Sequence, residues 1–182
     1  MGELRTFMVD SPSYSLAALN QMSQDEFTHA LGAVFEETPA IARQAWHSRP
    51  FNSINELHKA MVEVVRSLSP DDQLALIQAH PDLGSRTKMA DASVKEQAGA
   101  GLDQLSPEEY ERIQQLNQNY KDKFDFPFIV AVKDHTKDSI FENFSKRLTH
   151  DIATEQETAL TEIFKIAQFR LDDLIEPSTH SA

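Results

Sequence analysis

The 182-residue sequence contains no cysteine. Disulfide staples, thiolate metal sites and cysteine nucleophiles are excluded together, and the absence fits a reducing compartment. Glycine is scarce, five in all, too few for the many tight turns of a β architecture. No apolar run approaches the ~20 residues that span a bilayer. Met1 to Asp10 carries Glu3, Arg5 and Asp10 where a secretory signal would be apolar, so no signal peptide is expected. Positive charge is also short, with 17 Lys+Arg against 29 Asp+Glu and a formal net charge of −12. A field of that sign repels phosphate backbones and acidic lipid, so neither nucleic acid nor a membrane is an expected partner. An anionic small molecule could bind only where cations are held locally in a pocket.

Several catalytic signatures are missing as well. There is no Gly-x-Gly-x-x-Gly, no Walker loop, no Gly-x-Ser-x-Gly and no His-Glu-x-x-His, so nucleotide cofactors and serine-hydrolase chemistry lose their usual support. His29, His47, His58, His135, His150 and His180 are scattered without metal-ligand spacing. A metal-dependent hydrolase built from them would need ligands gathered by the fold alone.

What the chain does have is a series of helix starts. Ser23 with Glu26, Ser53 with Glu56 and Ser93 with Glu96 have the spacing of capping boxes, in which hydroxyl and carboxylate satisfy the orphan N–H groups of a first turn. Thr38-Pro39, Ser69-Pro70 and Ser106-Pro107 put proline at a first helical position, where its missing N–H costs little. Ile54, Leu57, His58, Met61, Val62, Val65 and Leu68 share one helical face, as do Leu160, Ile163, Phe164, Ala167, Leu171, Leu174 and Ile175. These signals predict an all-α, single compact multi-helix domain over 1–182, with its core at about 15–175 and a polar, frayed tail at 176–182. Helices are expected at 15–22, 24–36, 39–47, 54–67, 70–79, 93–100, 107–123, 137–149 and 154–175. The β-like run Phe128 to Val132 is too short to define a sheet, and 84–92 reads as a polar surface loop beside which a site could be built.

Four strings could carry chemistry, and each has a plainer alternative. Pro81 disfavours helical geometry at His80, so His80 ends a helix beside a polar loop. It could transfer protons there, or simply interact with the helix dipole. Ser93, Glu96 and Gln97 could offer hydroxyl, carboxylate and amide to a polar substrate, while a capping box accounts for Ser93 and Glu96 without one. Arg147 could grip a carboxylate with two hydrogen bonds or lie on a solvated helix face. Phe126 to Val130 could present backbone groups to a heterocycle or pack the core. His58, on an apolar stripe, reads as a core residue.

Taken in order, His80-Pro81-Asp82-Leu83-Gly84, Ser93-x-x-Glu96-Gln97, Ala100-Gly101-Leu102-Asp103, Leu116-Asn117-x-x-Tyr120, Phe126-Pro127-Phe128-Ile129, Arg147-Leu148, Glu155 and Arg170-Leu171 resemble the 2-oxo-4-hydroxy-4-carboxy-5-ureidoimidazoline (OHCU) decarboxylases of urate degradation, from about Ser15 to Leu174. The resemblance implies an all-helical enzyme, generally a homodimer, that forms (S)-allantoin and needs neither metal nor organic cofactor. It implies catalytic roles for His80 and Glu96. Pro81, Ser93, Gln97, the backbone of Phe128, Ile129, Val130, Ala131 and Val132, and Arg147 would contact the ureidoimidazoline substrate. The loop between the two motifs is shorter than in animal relatives, and His150 stands where asparagine is frequent. The ending Thr179-His180-Ser181-Ala182 is no peroxisomal tail, which points to the cytoplasm. The competing expectation is a non-catalytic helical ligand-binding or scaffold module.

Overall fold

The computed structural model describes residues 13–84 and 91–177. The expectations for Met1 to Asp10, for most of the polar loop and for the tail beyond Pro177 lie outside those residues. The described residues form nine α-helices: α1 (Leu16–Gln21), α2 (Gln24–Leu31), α3 (Ala40–Ala45), α4 (Ile54–Arg66), α5 (Pro70–Gln78), α6 (Asp91–Gly99), α7 (Pro107–Phe124), α8 (Lys137–Arg147) and α9 (Ile152–Leu174). Two short 3-10 turns, Trp46–Ser48 and Val132–Asp134, complete the order. Among the described residues the only β pairing is an isolated bridge between Tyr14 and Ile175, so the Phe128 to Val132 run is an extended connection and not part of a sheet.

The helix starts follow from local chemistry. Ser15, Ser23, Ser53, Ser69, Ser106, Thr136 and Asp151 each accept a hydrogen bond from a first-turn N–H, a contact worth about 1 kcal/mol at each start. The capping box at Ser23 and Glu26 is complete. At Ser53 it is half made, because the Glu56 carboxylate accepts from the Asn52 N–H instead. At Ser93 the expectation fails: α6 begins two residues earlier, at Asp91, so Ser93 lies inside the helix.

The expected helix 24–36 stops at Leu31. Val34 and Phe35 remain buried, but they do so from a turn, and Glu37 beyond them has a left-handed φ of 46°.

The long α9 packs against α4, α5 and α7, and α6 packs against the 3-10 turn at 132–134. Leu57, Met61 and Val65 of α4 and Leu160, Ile163, Ala167 and Leu171 of α9 are buried, as their spacing predicts. Tyr120 of α7 stands among Phe124, Phe126, Phe128 and Phe144, with ring centroids 4.5–6.4 Å from its own. This aromatic cluster anchors the connection between α7 and α8. No helix among the described residues is long and apolar enough to cross a membrane.

Candidate active site

Helix α5 ends at Gln78, and the chain turns through Ala79 and His80 into Pro81. The proline keeps the backbone from continuing as a helix, which leaves the imidazole at the helix end facing inward. His80 Nδ1 lies 2.9 Å from the Leu76 carbonyl. A carbonyl can only accept, so Nδ1 carries the proton and neutral His80 has a bare Nε2. Burial pushes the ring's pKa down to about 4; the Leu76 hydrogen bond and the Glu36 carboxylate work against that shift and Arg170 adds to it. At neutral pH the ring is therefore a base with its lone pair available.

His80 shares a cavity with Pro81, Leu83, Ser93, Glu96, Gln97, Phe128, Ile129, Val130, Val132, Ile166 and Arg170. The cavity is small, about 30 Å³, and opens to solvent on one side. Five segments meet there: the end of α5, α6, the connection before α8, its 3-10 turn, and α9.

One wall is ionic. Arg170 Nε and Nη2 donate to the two oxygens of Glu96 at 2.8 and 3.1 Å, a fork-to-fork pair. Nη1 donates to Glu36 Oε2 at 2.8 Å, and Nη2 also donates to Ser93 Oγ at 3.1 Å. Ser93 Oγ in turn donates to Glu36 Oε1 at 2.9 Å. Burial opposes the Arg170 charge, but Glu96 and Glu36 outweigh it and hold its pKa above the ordinary value. Ser93 and Glu96 thus serve this network and not a helix cap.

Gln97 Oε1 accepts from the Gly84 N–H at 2.9 Å, and Asn117 Nδ2 donates to the Leu83 carbonyl at 2.9 Å. Together these bonds fasten the His80 to Gly84 turn to α6 and α7. Gly84 has a φ of 64°, which favours glycine, and a Cβ there would also press on the Ile113 and Leu105 side chains at 3.1 and 3.2 Å.

Of the residues expected from sequence, His80, Pro81, Ser93, Glu96, Gln97, Phe128, Ile129, Val130 and Val132 line the cavity. Ala131 does not; its N–H faces the other way and donates to Glu162. Arg147 requires a correction. It is 3% exposed and stands behind the Phe128–Ile129 wall, not in the cavity lining. Its Nε donates to Glu155, its Nη1 donates to the Ile129 carbonyl, and its guanidinium lies over the Phe128 ring. Glu155 also accepts from the Tyr120 hydroxyl and pairs with His150. Burial, reinforced by Glu155, pushes the Tyr120 phenol up, so it remains a donor.

Among the described residues the cation lining the cavity is Arg170, which the sequence offered as part of the resemblance but with no role, and Glu36 behind it was not singled out at all. Arg170 did leave a signal. It lies seven residues after Ile163 and three after Ala167, a charged residue on the apolar stripe of α9. Glu36 left none, since its helical pattern continued the preceding one. Among the described residues no three His, Asp or Glu side chains converge as a metal site.

Comparison with protein families matches residues 20–172 to the OHCU decarboxylases. The chain is 47% identical over 159 residues to the 2-oxo-4-hydroxy-4-carboxy-5-ureidoimidazoline decarboxylase of Halalkalicoccus jeotgali, covering 87% of this chain and 90% of the relative. It is 46% identical over 157 residues to the protein of the same name from Haloferax volcanii, covering 86% and 94%. Among solved structures, an (S)-allantoin synthase superposes with a TM-score of 0.75 at 28% identity, covering 91% of this chain and 55% of that one. With the histidine, carboxylate and guanidinium gathered at one cavity and the likeness running through nearly the whole fold, the chain belongs to the OHCU decarboxylase family.

Proposed function

We propose that this protein decarboxylates 2-oxo-4-hydroxy-4-carboxy-5-ureidoimidazoline to (S)-allantoin, with His80 as the proton-transferring base. The supporting observation is the neutral imidazole whose bare Nε2 shares a cavity with the Glu96–Arg170 pair. The substrate bears a hydroxyl and a carboxylate on one ring carbon, next to a carbon–nitrogen double bond. When the carbon–carboxylate bond breaks, its electron pair forms a new bond to the neighbouring carbon. The C=N pair moves onto nitrogen, which takes a proton, and CO2 leaves. The resulting enol gives its hydroxyl proton to His80 Nε2, and the neighbouring carbon is protonated on one face. The substrate's own C=N is the electron sink, which is consistent with the cofactor-independence expected from the family resemblance.

In this reading Glu96 orients substrate and imidazole, Gln97 and Ser93 hold polar edges, and Phe128, Ile129, Val130 and Val132 supply backbone contacts to the ring and ureido group. Arg170 takes the substrate-contacting place that the resemblance gave to Arg147. The same proposal includes a cytoplasmic homodimer, which light scattering on the purified protein would test for assembly.

The test is CO2 release and allantoin handedness with freshly prepared substrate. Catalysed formation of the S form is expected, and His80→Ala should lose about 10²–10⁴-fold in kcat, the usual worth of a general acid or base. Binding without turnover by the wild-type protein would support a ligand-binding module instead. Undiminished turnover in His80→Ala would remove the histidine from the mechanism.

A further inference from the structure

The cavity wall depends on a carboxylate that does not touch the cavity. Glu36 is 3% exposed and absent from the lining. It comes from the turn between α2 and α3, far in sequence from every motif of the site. Both its oxygens are engaged, Oε1 by the Ser93 hydroxyl at 2.9 Å and Oε2 by Arg170 Nη1 at 2.8 Å. Ser93 Oγ also accepts from Arg170 Nη2 at 3.1 Å, which closes a three-membered ring of hydrogen bonds. The remaining face of Arg170, Nε and Nη2, grips Glu96.

The backbone around Glu36 is arranged for this. α2 ends at Leu31, the Thr38 hydroxyl donates to the Glu36 carbonyl at 2.8 Å, and Glu37 takes a φ of 46°, a region few non-glycine residues enter. A left-handed residue costs free energy and persists where surrounding contacts fix it. Here those contacts are the ones that turn the Glu36 carboxylate inward.

We propose that Glu36 is a positioning residue of the decarboxylation: it locks Arg170 and Ser93 so that Glu96 faces the cavity in a single orientation. The inference rests on the function proposed above. Rotation of a guanidinium about its last bonds would carry the paired Glu96 with it, and the Glu36 and Ser93 bonds, at 2.8 and 3.1 Å, oppose that rotation from the far side together with the longer 3.4 Å contacts from Nη1 to the Ala33 and Val34 carbonyls. A Gln at position 36 keeps the shape. Its amide nitrogen cannot accept from the Ser93 hydroxyl, and the second negative charge on Arg170 is gone.

Glu36 also acts on His80 at a distance. Its charge favours the protonated ring and opposes Arg170, while the Leu76 and Ile77 carbonyls supply the backbone contacts to that residue. Its removal should therefore make the ring still harder to protonate.

The experiment compares wild type, Glu36→Gln, Glu36→Asp and Ser93→Ala with the same freshly prepared substrate. Four quantities are read: kcat, KM, the S:R ratio of allantoin after subtraction of the uncatalysed reaction, and the His80 ring titration. Glu36→Gln should lower kcat by at least roughly tenfold with KM changed by less than about threefold. It should also erode the excess of the S form and move the His80 titration to lower pH. Glu36→Asp, which keeps the charge, should recover part of the loss in handedness and leave the titration near that of wild type. Combining Glu36→Gln with Ser93→Ala should cost less than the sum of the two single losses, since both break one ring of bonds. A mere loss of folded protein would scale kcat while leaving handedness and titration unchanged, and that result overturns the proposal. So does a Glu36→Gln enzyme equal to wild type in all four. A wild-type protein inert toward the substrate would instead remove the functional reading beneath it, a failure distinguishable from the other two.

Discussion

His80 is held neutral by its surroundings, and that has a cost in stability that depends on pH. In the unfolded chain the ring protonates near the ordinary value of 6.5, whereas in the folded chain it stays neutral down to about 4. Between those values the unfolded state binds more protons, so this group's contribution falls as pH drops through that window and is complete above it. The interval corresponds to roughly 3 kcal/mol in total, of which about 2 kcal/mol should be lost between about pH 7 and pH 5. Denaturant unfolding at both pH values should show that extra loss in wild type and its absence in His80→Gln. Equal pH slopes in the two proteins would contradict the neutral, buried ring.

Among the elements, the connection from Phe126 to Val132 shows how an irregular segment becomes a rigid wall. Its Ala131 and Val132 carbonyls accept from the N–H groups of Asp134 and His135, and Arg147 of α8 takes the carbonyl at Ile129. Glu155 of α9 holds Arg147, and Tyr120 of α7 holds Glu155, so three helices converge on one backbone group. Arg147→Met would leave the fully buried Glu155 without its main counter-charge. A destabilisation of about 3–5 kcal/mol is expected, as for other broken buried pairs, measured by denaturant unfolding. In the protein that remains folded, kcat/KM should fall because Ile129 and Val130 line the cavity. A change below about 1 kcal/mol would mean that Arg147 contributes no more than a surface ion pair.

The elements were largely legible in the sequence, because helix starts are local. Ser69-Pro70 and Ser106-Pro107 need only their own backbone to act, and α5 and α7 begin where those pairs place them. The apolar stripes of α4 and α9 were equally readable. What could not be read was what depends on distant partners. Ser93 and Glu96 have capping-box spacing, yet Arg170 engages both from the other end of the chain. The stop of α2 at Leu31 serves Glu36, whose partner Arg170 lies 134 residues away. Arg147 drew attention for its charge, but charge alone does not say whether a guanidinium meets substrate or a backbone carbonyl.

At the scale of the whole molecule, a net charge of −12 surrounds a cavity meant for an anion. The long-range field opposes approach, and two carboxylates share Arg170, the guanidinium that lines the cavity among the described residues. Screening should therefore help. Raising ionic strength from about 0.01 M to about 0.15 M shortens the reach of surface charge from ~30 Å to ~8 Å, so kcat/KM for the anionic substrate should rise modestly. A steep fall with salt would show that local positive potential, not the global field, governs entry.

All the chemistry assigned to the cavity requires His80 to be a neutral base with its proton on Nδ1. Nitrogen-15 NMR of the histidine rings, with His80 identified by substitution, reads both the tautomer and the titration of that ring directly. The expected result is a protonated Nδ1 and a bare Nε2 at neutral pH, with the ring neutral until the pH approaches about 4. A ring already charged at neutral pH, or one with its proton on Nε2, would contradict the mechanism.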